Sequence, residues 1–188
     1  MMLTPTHLAA GYLLGERLAS AAARSEHNDV LGRRVLLFTM LFAIAPDLDL
    51  LWFGVQHHWT ITGDSAGAHH AYLTHVPLIY ILGAAFLWLG ASKFYRWLIA
   101  ASLVGAISHM LLDSILIGWG IPWLYPFSNR LIGWNIVTRL YRSEWGDHWL
   151  SHYLVSPFIL VEYAFIAVAL FRWQKVRKNV KHEHETIV

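Results

Sequence analysis

The feature that most constrains this chain is a set of acidic and histidine side chains placed inside apolar stretches of membrane-spanning length. Val35–Val55, Val76–Ala91, Trp97–Gly118 and Tyr153–Trp173 are apolar over about the 20 residues that a helix needs to cross a hydrocarbon core of about 30 Å. The second is short and fits a tilted or thin crossing. Ionisable groups in such stretches are costly unless they pair, line a wet cavity or bind an ion. Yet Pro46-Asp47-Leu48-Asp49 lies in the first stretch, and Ser108-His109-Met110-Leu111-Leu112-Asp113 lies in the third.

A fifth segment, Thr4–Ala23, is less apolar and contains Glu16 and Arg17, but its Gly11-x-x-x-Gly15 spacing lets another helix approach closely. It reads as a helix within the bundle rather than a leader, because no Lys or Arg precedes its apolar run and its middle carries charge. The expected fold is therefore all-α, an integral membrane bundle of four to five spanning helices. Residues 1–174 form one membrane-embedded domain, and 175–188 form a basic, polar tail. Only 14% of the 188 residues are charged, against about 25% in soluble domains.

Arg24, Arg33 and Arg34, then Lys93 and Arg96, then Arg172, Lys175, Arg177, Lys178 and Lys181 fall at alternate connections. By the positive-inside rule that side is cytoplasmic, which makes the protein a multi-pass inner-membrane protein with its C-terminus inside. Gln56–His75 and Trp119–His152 become external, with Trp52, Trp59, Trp119, Trp123, Trp145 and Trp149 as an outer aromatic belt. The tail Lys175–Lys181 is expected against anionic lipid headgroups. Basic residues at block edges, and a net charge of only +2, argue against nucleic acid as a partner. The oligomeric state is not legible.

His109 and Asp113, spaced i and i+4, project from one helical face as a chelating pair. Asp47 and Asp49 lie at the same depth. His70 and His75 enter the second span from the external side, and His7 opens the first helix on that side. Each has a bland alternative: a kink and cap at Pro46-Asp47, a buried hydrogen-bonded pair at His109–Asp113, an interfacial His7. The coincidence of depth and side favours a metal site made of His7, Asp47, Asp49, His70, His75, His109 and Asp113 in the outer half of the bundle. With no cysteine, histidine and carboxylate are the available ligands, which suits Zn²⁺ first and Mn²⁺ or Fe²⁺ next. Seven donors exceed one tetrahedral shell, so two ions are expected. His148 and His152 are second-shell or substrate candidates, whereas His57, His58 and His69 read as loop residues and His182 and His184 as a solvated tail.

Thr6-His7 with Gly11, Pro46-Asp47-Leu48-Asp49, His70-x-x-x-Thr74-His75, His109-x-x-x-Asp113 and Pro122-Trp123-Leu124-Tyr125-Pro126-Phe127-Ser128 occur in order. In this the chain resembles the YdjM-like family of LexA-regulated, membrane-bound proteins described as metal-dependent hydrolases. The resemblance implies a metal site at the seven residues above and a distant similarity to zinc-dependent phospholipase C and P1-type nucleases. It departs at Ala71 and Val76, where the family commonly has Arg and Ser. The chain then either lacks the anion contact of that arginine or supplies it from Arg130 or Arg139.

The expected activity is metal-dependent hydrolysis of a phosphoester in a lipid or lipid-linked substrate at the outer face. Asp47, Asp49, His109 and Asp113 are the expected inner ligands, His7, His70 and His75 complete the shells, and His75 is the candidate general base. The aromatic loop Trp119–Ser128 would anchor at the headgroups or seat an acyl or prenyl chain. A proton- or metal-coupled transporter is the alternative, and a metal-stapled interaction protein the third reading.

Overall fold

The computed structural model describes residues 4–56, 70, 72–115, 120–134 and 149–185, with the side chains of 149–151 and 179–185 left aside. Trp59, Arg139, His148 and the other loop positions named above between 57 and 69 and between 135 and 148 lie outside the described residues, as do the side chains of His182 and His184.

Helix α1 (Thr4–Glu26) and helix α2 (Asp29–Ile44) are joined by two residues. His27 takes the left-handed conformation, φ 48°, and Asn28 caps α2 by accepting from the Leu31 N–H at 3.0 Å. So short a link makes the helices antiparallel neighbours. Pro46 has no N–H to continue the α2 ladder. The chain passes through a 3₁₀ turn (Pro46–Leu48) into α3 (Asp49–Gln56), and the two parts meet at 48°. The first expected span is therefore a broken helix, with Asp47 and Asp49 at the break.

A second 3₁₀ turn, Leu73–His75, leads into α4 (Pro77–Gly90), followed by α5 (Lys93–Ile115). Helix α6 (Trp149–Leu154) and helix α7 (Ile159–Glu185) are separated at Pro157, so the last long helix starts six residues after the expected Tyr153. It also runs unbroken through the segment expected as a separate tail. The described residues are helical apart from turns and one isolated antiparallel bridge, Ile121 with Ile132. Among them, α5 is long and apolar enough to cross a membrane. The α2–α3 pair is a second such unit if taken as one span, and α4 is a shorter apolar helix.

Helices α1, α2 and α5 pack against one another, with α2 making the most extensive contacts, while α7 lies on α1 and α4 on α5. Missing side chains set these distances. A Cβ on Gly11 would come within 2.6 Å of the Ala43 Cβ, and one on Gly105 within 2.9 Å of the Ala43 nitrogen. The Gly11–Gly15 spacing is thus used against α2, as small residues are in membrane bundles.

The helices alternate in direction, so Arg34 and Lys93 gather at one end, where Lys93 pairs with Glu26 at 2.8 Å and the Arg34 guanidinium lies over Phe94. Arg172 pairs with Glu16 at 3.0 Å, midway along α1. The Lys93 ammonium holds the Glu26 carboxyl below its ordinary pKa. His7, Asp47 and Asp113 gather at the opposite end, about 28 Å away by the rise of α1 from His7 to Glu26. The outer faces of α4 and α7 are apolar and exposed, including Leu82, Phe86, Leu89, Leu160, Leu170 and Phe171, as expected of a surface facing lipid.

Candidate metal centre

All seven residues singled out by sequence are buried at one end of the bundle. Asp47, His75, His109 and Asp113 each offer a ligand atom, and these atoms lie within 4.8 Å of one another, a group that could hold a metal ion. His109 Nε2 lies 3.4 Å from His75 Nε2, 3.2 Å from Asp113 Oδ2 and 3.5 Å from Asp47 Oδ1. A tetrahedral ion with ligands at about 2.0–2.1 Å sets neighbouring ligand atoms about 3.3–3.4 Å apart. The three distances from His109 lie close to that, and His75 Nε2 is wider, 4.0 Å from Asp113 Oδ2.

Three helical elements supply the group. The i, i+4 spacing on α5 aims His109 and Asp113 the same way, the break after α2 turns Asp47 inward, and the 3₁₀ turn before α4 brings in His75. Each ring is held from behind. His109 Nδ1 donates to the Ala43 carbonyl at 2.8 Å, and His75 Nδ1 donates to Asp49 Oδ2 at 3.0 Å, so both present Nε2 to the cluster. Asp49 also accepts from the Thr74 hydroxyl, and Thr4 donates to Asp47 Oδ2 at 3.2 Å. A second layer of this kind orients imidazole ligands and raises their basicity.

His7 and His70 also face Asp113. His7 Nε2 lies 3.3 Å from Asp113 Oδ1, and His70 Nε2 lies 3.3 Å from Asp113 Oδ2. His7 stacks on His109 with ring centroids 3.9 Å apart. Burial pushes the His70 imidazole below its ordinary pKa against the pull of Asp113, which favours the neutral, ligating form. Among the described residues, His7 Nδ1, Asp47 Oδ1 and Asp49 Oδ1 are buried without a hydrogen-bond partner. Buried polar atoms are seldom left so, and a divalent cation within the four-residue group would answer for Asp47 Oδ1. The residues present fit the metal that the sequence implies.

A family model described as YdjM inner membrane protein matches residues 1–179. The chain belongs to this family. No curated protein and no solved structure shows a significant match to it. For a member of the YdjM family, the cluster gives the conspicuous intramembrane residues a common location.

Asp49 is expected as an inner ligand; its Oδ2 accepts from the outer nitrogen of His75, and it lies outside the four-residue group. Asp49→Ala is therefore expected to weaken metal affinity about 10–100-fold while leaving the site able to load. Chelator competition on the purified protein measures this, and a loss as complete as that of His109→Ala would make Asp49 a ligand.

Glu162 falls within the expected last span, Tyr153–Trp173, and has no role in the sequence reading. It is buried at the metal end, where it accepts from Thr6, the neighbour of His7, at 2.6 Å and from the Tyr153 hydroxyl. The signal was Pro157, which moves the start of α7 and with it the depth of Glu162. His152 lies exposed on α6, and Arg130 is exposed in the 120–134 loop. That loop returns to the site end through Trp123 Nε1 to Ser114 Oγ, 2.9 Å, beside Asp113. Gly120, at φ +83°, lets it pass the Ile132 backbone, and Phe127 points outward, 90% exposed.

Proposed function

We propose that this protein is a membrane-bound, metal-dependent hydrolase acting on a phosphoester of a lipid at the outer membrane face. The observation that carries the reading is Asp113. Its two oxygens face His7 on one side and His70 and His109 on the other, with His75 at 4.0 Å, so the donors around it exceed one tetrahedral shell. His7, Asp47, His70, His75, His109 and Asp113 would hold two Zn²⁺ ions between them, with Asp113 shared. Six donors divided over two tetrahedral shells would leave at least one position for water or substrate, which a purely structural site lacks. Such ions supply Lewis acidity and an activated water near neutral pH.

The protein residues then have separable tasks. Ala43 and Asp49 fix the ring orientation of His109 and His75, and Thr4 orients Asp47. With Nε2 committed to the ion and Nδ1 to Asp49, His75 has no lone pair for proton abstraction. Ligation therefore replaces its expected role as general base.

Four to five helices cross the bilayer in this reading: α1, the bent α2–α3 pair, α4, α5 and α7. The basic ends face the cytoplasm, and the cluster sits at the opposite boundary. The burial pattern favours a one-sided site over a transport path, because the buried Asp, Glu and His side chains among the described residues all lie at the metal end.

A stapling role has one observation in its favour: Asp47, His75, His109 and Asp113 alone can complete one tetrahedral shell. Elemental mass spectrometry and turnover of a glycerophospholipid panel by the Zn²⁺- and Mn²⁺-loaded, detergent-purified chain separate the two. Hydrolysis that requires the ion and disappears in Asp113→Asn is the expected result. Stoichiometric metal with no hydrolysis across the panel would leave the staple.

A further inference from the structure

A cavity of about 660 Å³ lies between α2, α4 and α5, away from the metal donors and lined by Phe38, Phe42, Tyr80, Gly83, Leu87 and Leu103 among others. Its volume is that of a small-molecule site. Tyr80, Gly83, Leu87 and Gly90 recur at three- and four-residue intervals along one face of α4. Glycines in membrane helices ordinarily admit a neighbouring helix. Here a Cβ on Gly83 or Gly90 would meet nothing within 4 Å, so their small size leaves open space instead.

The cavity is lined mainly by apolar side chains, with Tyr80, Ser102 and Tyr95 as its hydroxyl-bearing residues. Ser102 spends its hydroxyl on the Leu98 carbonyl at 2.9 Å. At the upper end the Tyr80 hydroxyl donates to the Thr74 carbonyl at 2.9 Å, and Thr74 in turn bonds Asp49 behind His75. Phe42 lines the cavity, and the carbonyl of the next residue, Ala43, holds His109. From Tyr80 to Ala91 the helix rises about 17 Å, close to one leaflet of a hydrocarbon core about 30 Å thick.

The geometry points to an acyl-chain site: the cavity between α2, α4 and α5 receives one fatty acyl chain of a glycerophospholipid whose phosphoester lies at the metal cluster. This deepens the hydrolase reading and rests on it for the headgroup. An acyl chain, rather than a long polyprenyl chain, matches a groove about 17 Å long. The aromatic loop around Phe127 then anchors at the interface and does not seat the chain.

The test uses full-length protein in liposomes with a trace of phosphatidylglycerol carrying a diazirine at the end of one acyl chain, crosslinks being mapped by mass spectrometry. Labelling is expected to concentrate on Leu87–Tyr95 at least tenfold over Leu170 and Phe171, which face lipid on α7. Gly83→Phe, which fills the cavity, is expected to cut that labelling at least tenfold with metal content and melting temperature unchanged. Gly90→Leu serves if the larger side chain impairs folding.

Uniform labelling of both surfaces, or labelling indifferent to both substitutions, would overturn the site. Displacement by a polyprenyl phosphate but not by excess unlabelled phosphatidylglycerol would overturn the acyl assignment. Crosslinking without hydrolysis retains the chain site and removes the hydrolase, and hydrolysis without crosslinking does the reverse.

Discussion

Asp113→Asn is expected to reduce bound metal to background and phospholipid hydrolysis at least 10³-fold. The change keeps the shape of the side chain and removes its charge, so it tests coordination rather than packing. Asp113 is fully buried, and its oxygens stand 3.2–3.3 Å from the Nε2 atoms of His7, His70 and His109. An amide presents one oxygen instead of two and turns two N–H donors toward nitrogens that the ion needs as lone pairs. No neighbour can replace the lost charge, because Asp49 is engaged with His75 and Thr74. Elemental mass spectrometry reads the metal, and melting with and without Zn²⁺ reads linkage. The native chain should be stabilised by the ion, the variant not. Retention of near-native metal by the variant would remove Asp113 from the centre of the site.

Gly105→Val is expected to destabilise the bundle by about 3 kcal/mol or more, at or beyond the upper range for overpacking. The reason is what the new side chain meets. Its Cβ would overlap the Thr39 carbonyl and come within 2.9 Å of the Ala43 nitrogen, both backbone atoms with no rotamer to yield. Relief requires α5 to move off α2. His109 lies one turn further along α5 and would lose the Ala43 carbonyl, so metal affinity should fall although no ligand has changed. Gly83→Ala is the control, since a Cβ there meets nothing within 4 Å and should be nearly neutral. Thermal unfolding in detergent with parallel metal analysis tests both. An unaltered melting temperature in Gly105→Val would mean that the α2–α5 approach is looser than its geometry.

Much of the site was legible because chemistry and period coincide in the sequence. His109 and Asp113 declare a shared face by spacing, and Pro46 declares where α2 must break. Apolar blocks placed Asp47, His70 and His75 at a common depth before any packing was known. Asp49 was not legible in the same way. Two carboxylates flanking Leu48 look equivalent until the bend sends one to the cluster and the other to the far side of an imidazole. Glu162 was missed because hydropathy continues across Val155–Phe158, while the backbone does not. The apolar cavity could not be read at all. It exists only where α2, α4 and α5 meet, and a glycine in sequence does not say whether its missing side chain admits a helix or leaves a space.

The bond from His109 to the Ala43 carbonyl bears on which form of the ring awaits the ion. A carbonyl can only accept, so the proton must sit on Nδ1, which leaves the lone pair on Nε2 facing Asp47, His75 and Asp113. The acceptor belongs to the last turn before Pro46, where helical carbonyls lose their usual partners. The same proline that interrupts α2 thus helps to select the tautomer of a residue 63 positions later in the sequence. A substitute at 109 must both donate to that carbonyl and offer a lone pair to the ion. Cys, Asp or Glu can meet the second demand only by leaving the carbonyl unsatisfied.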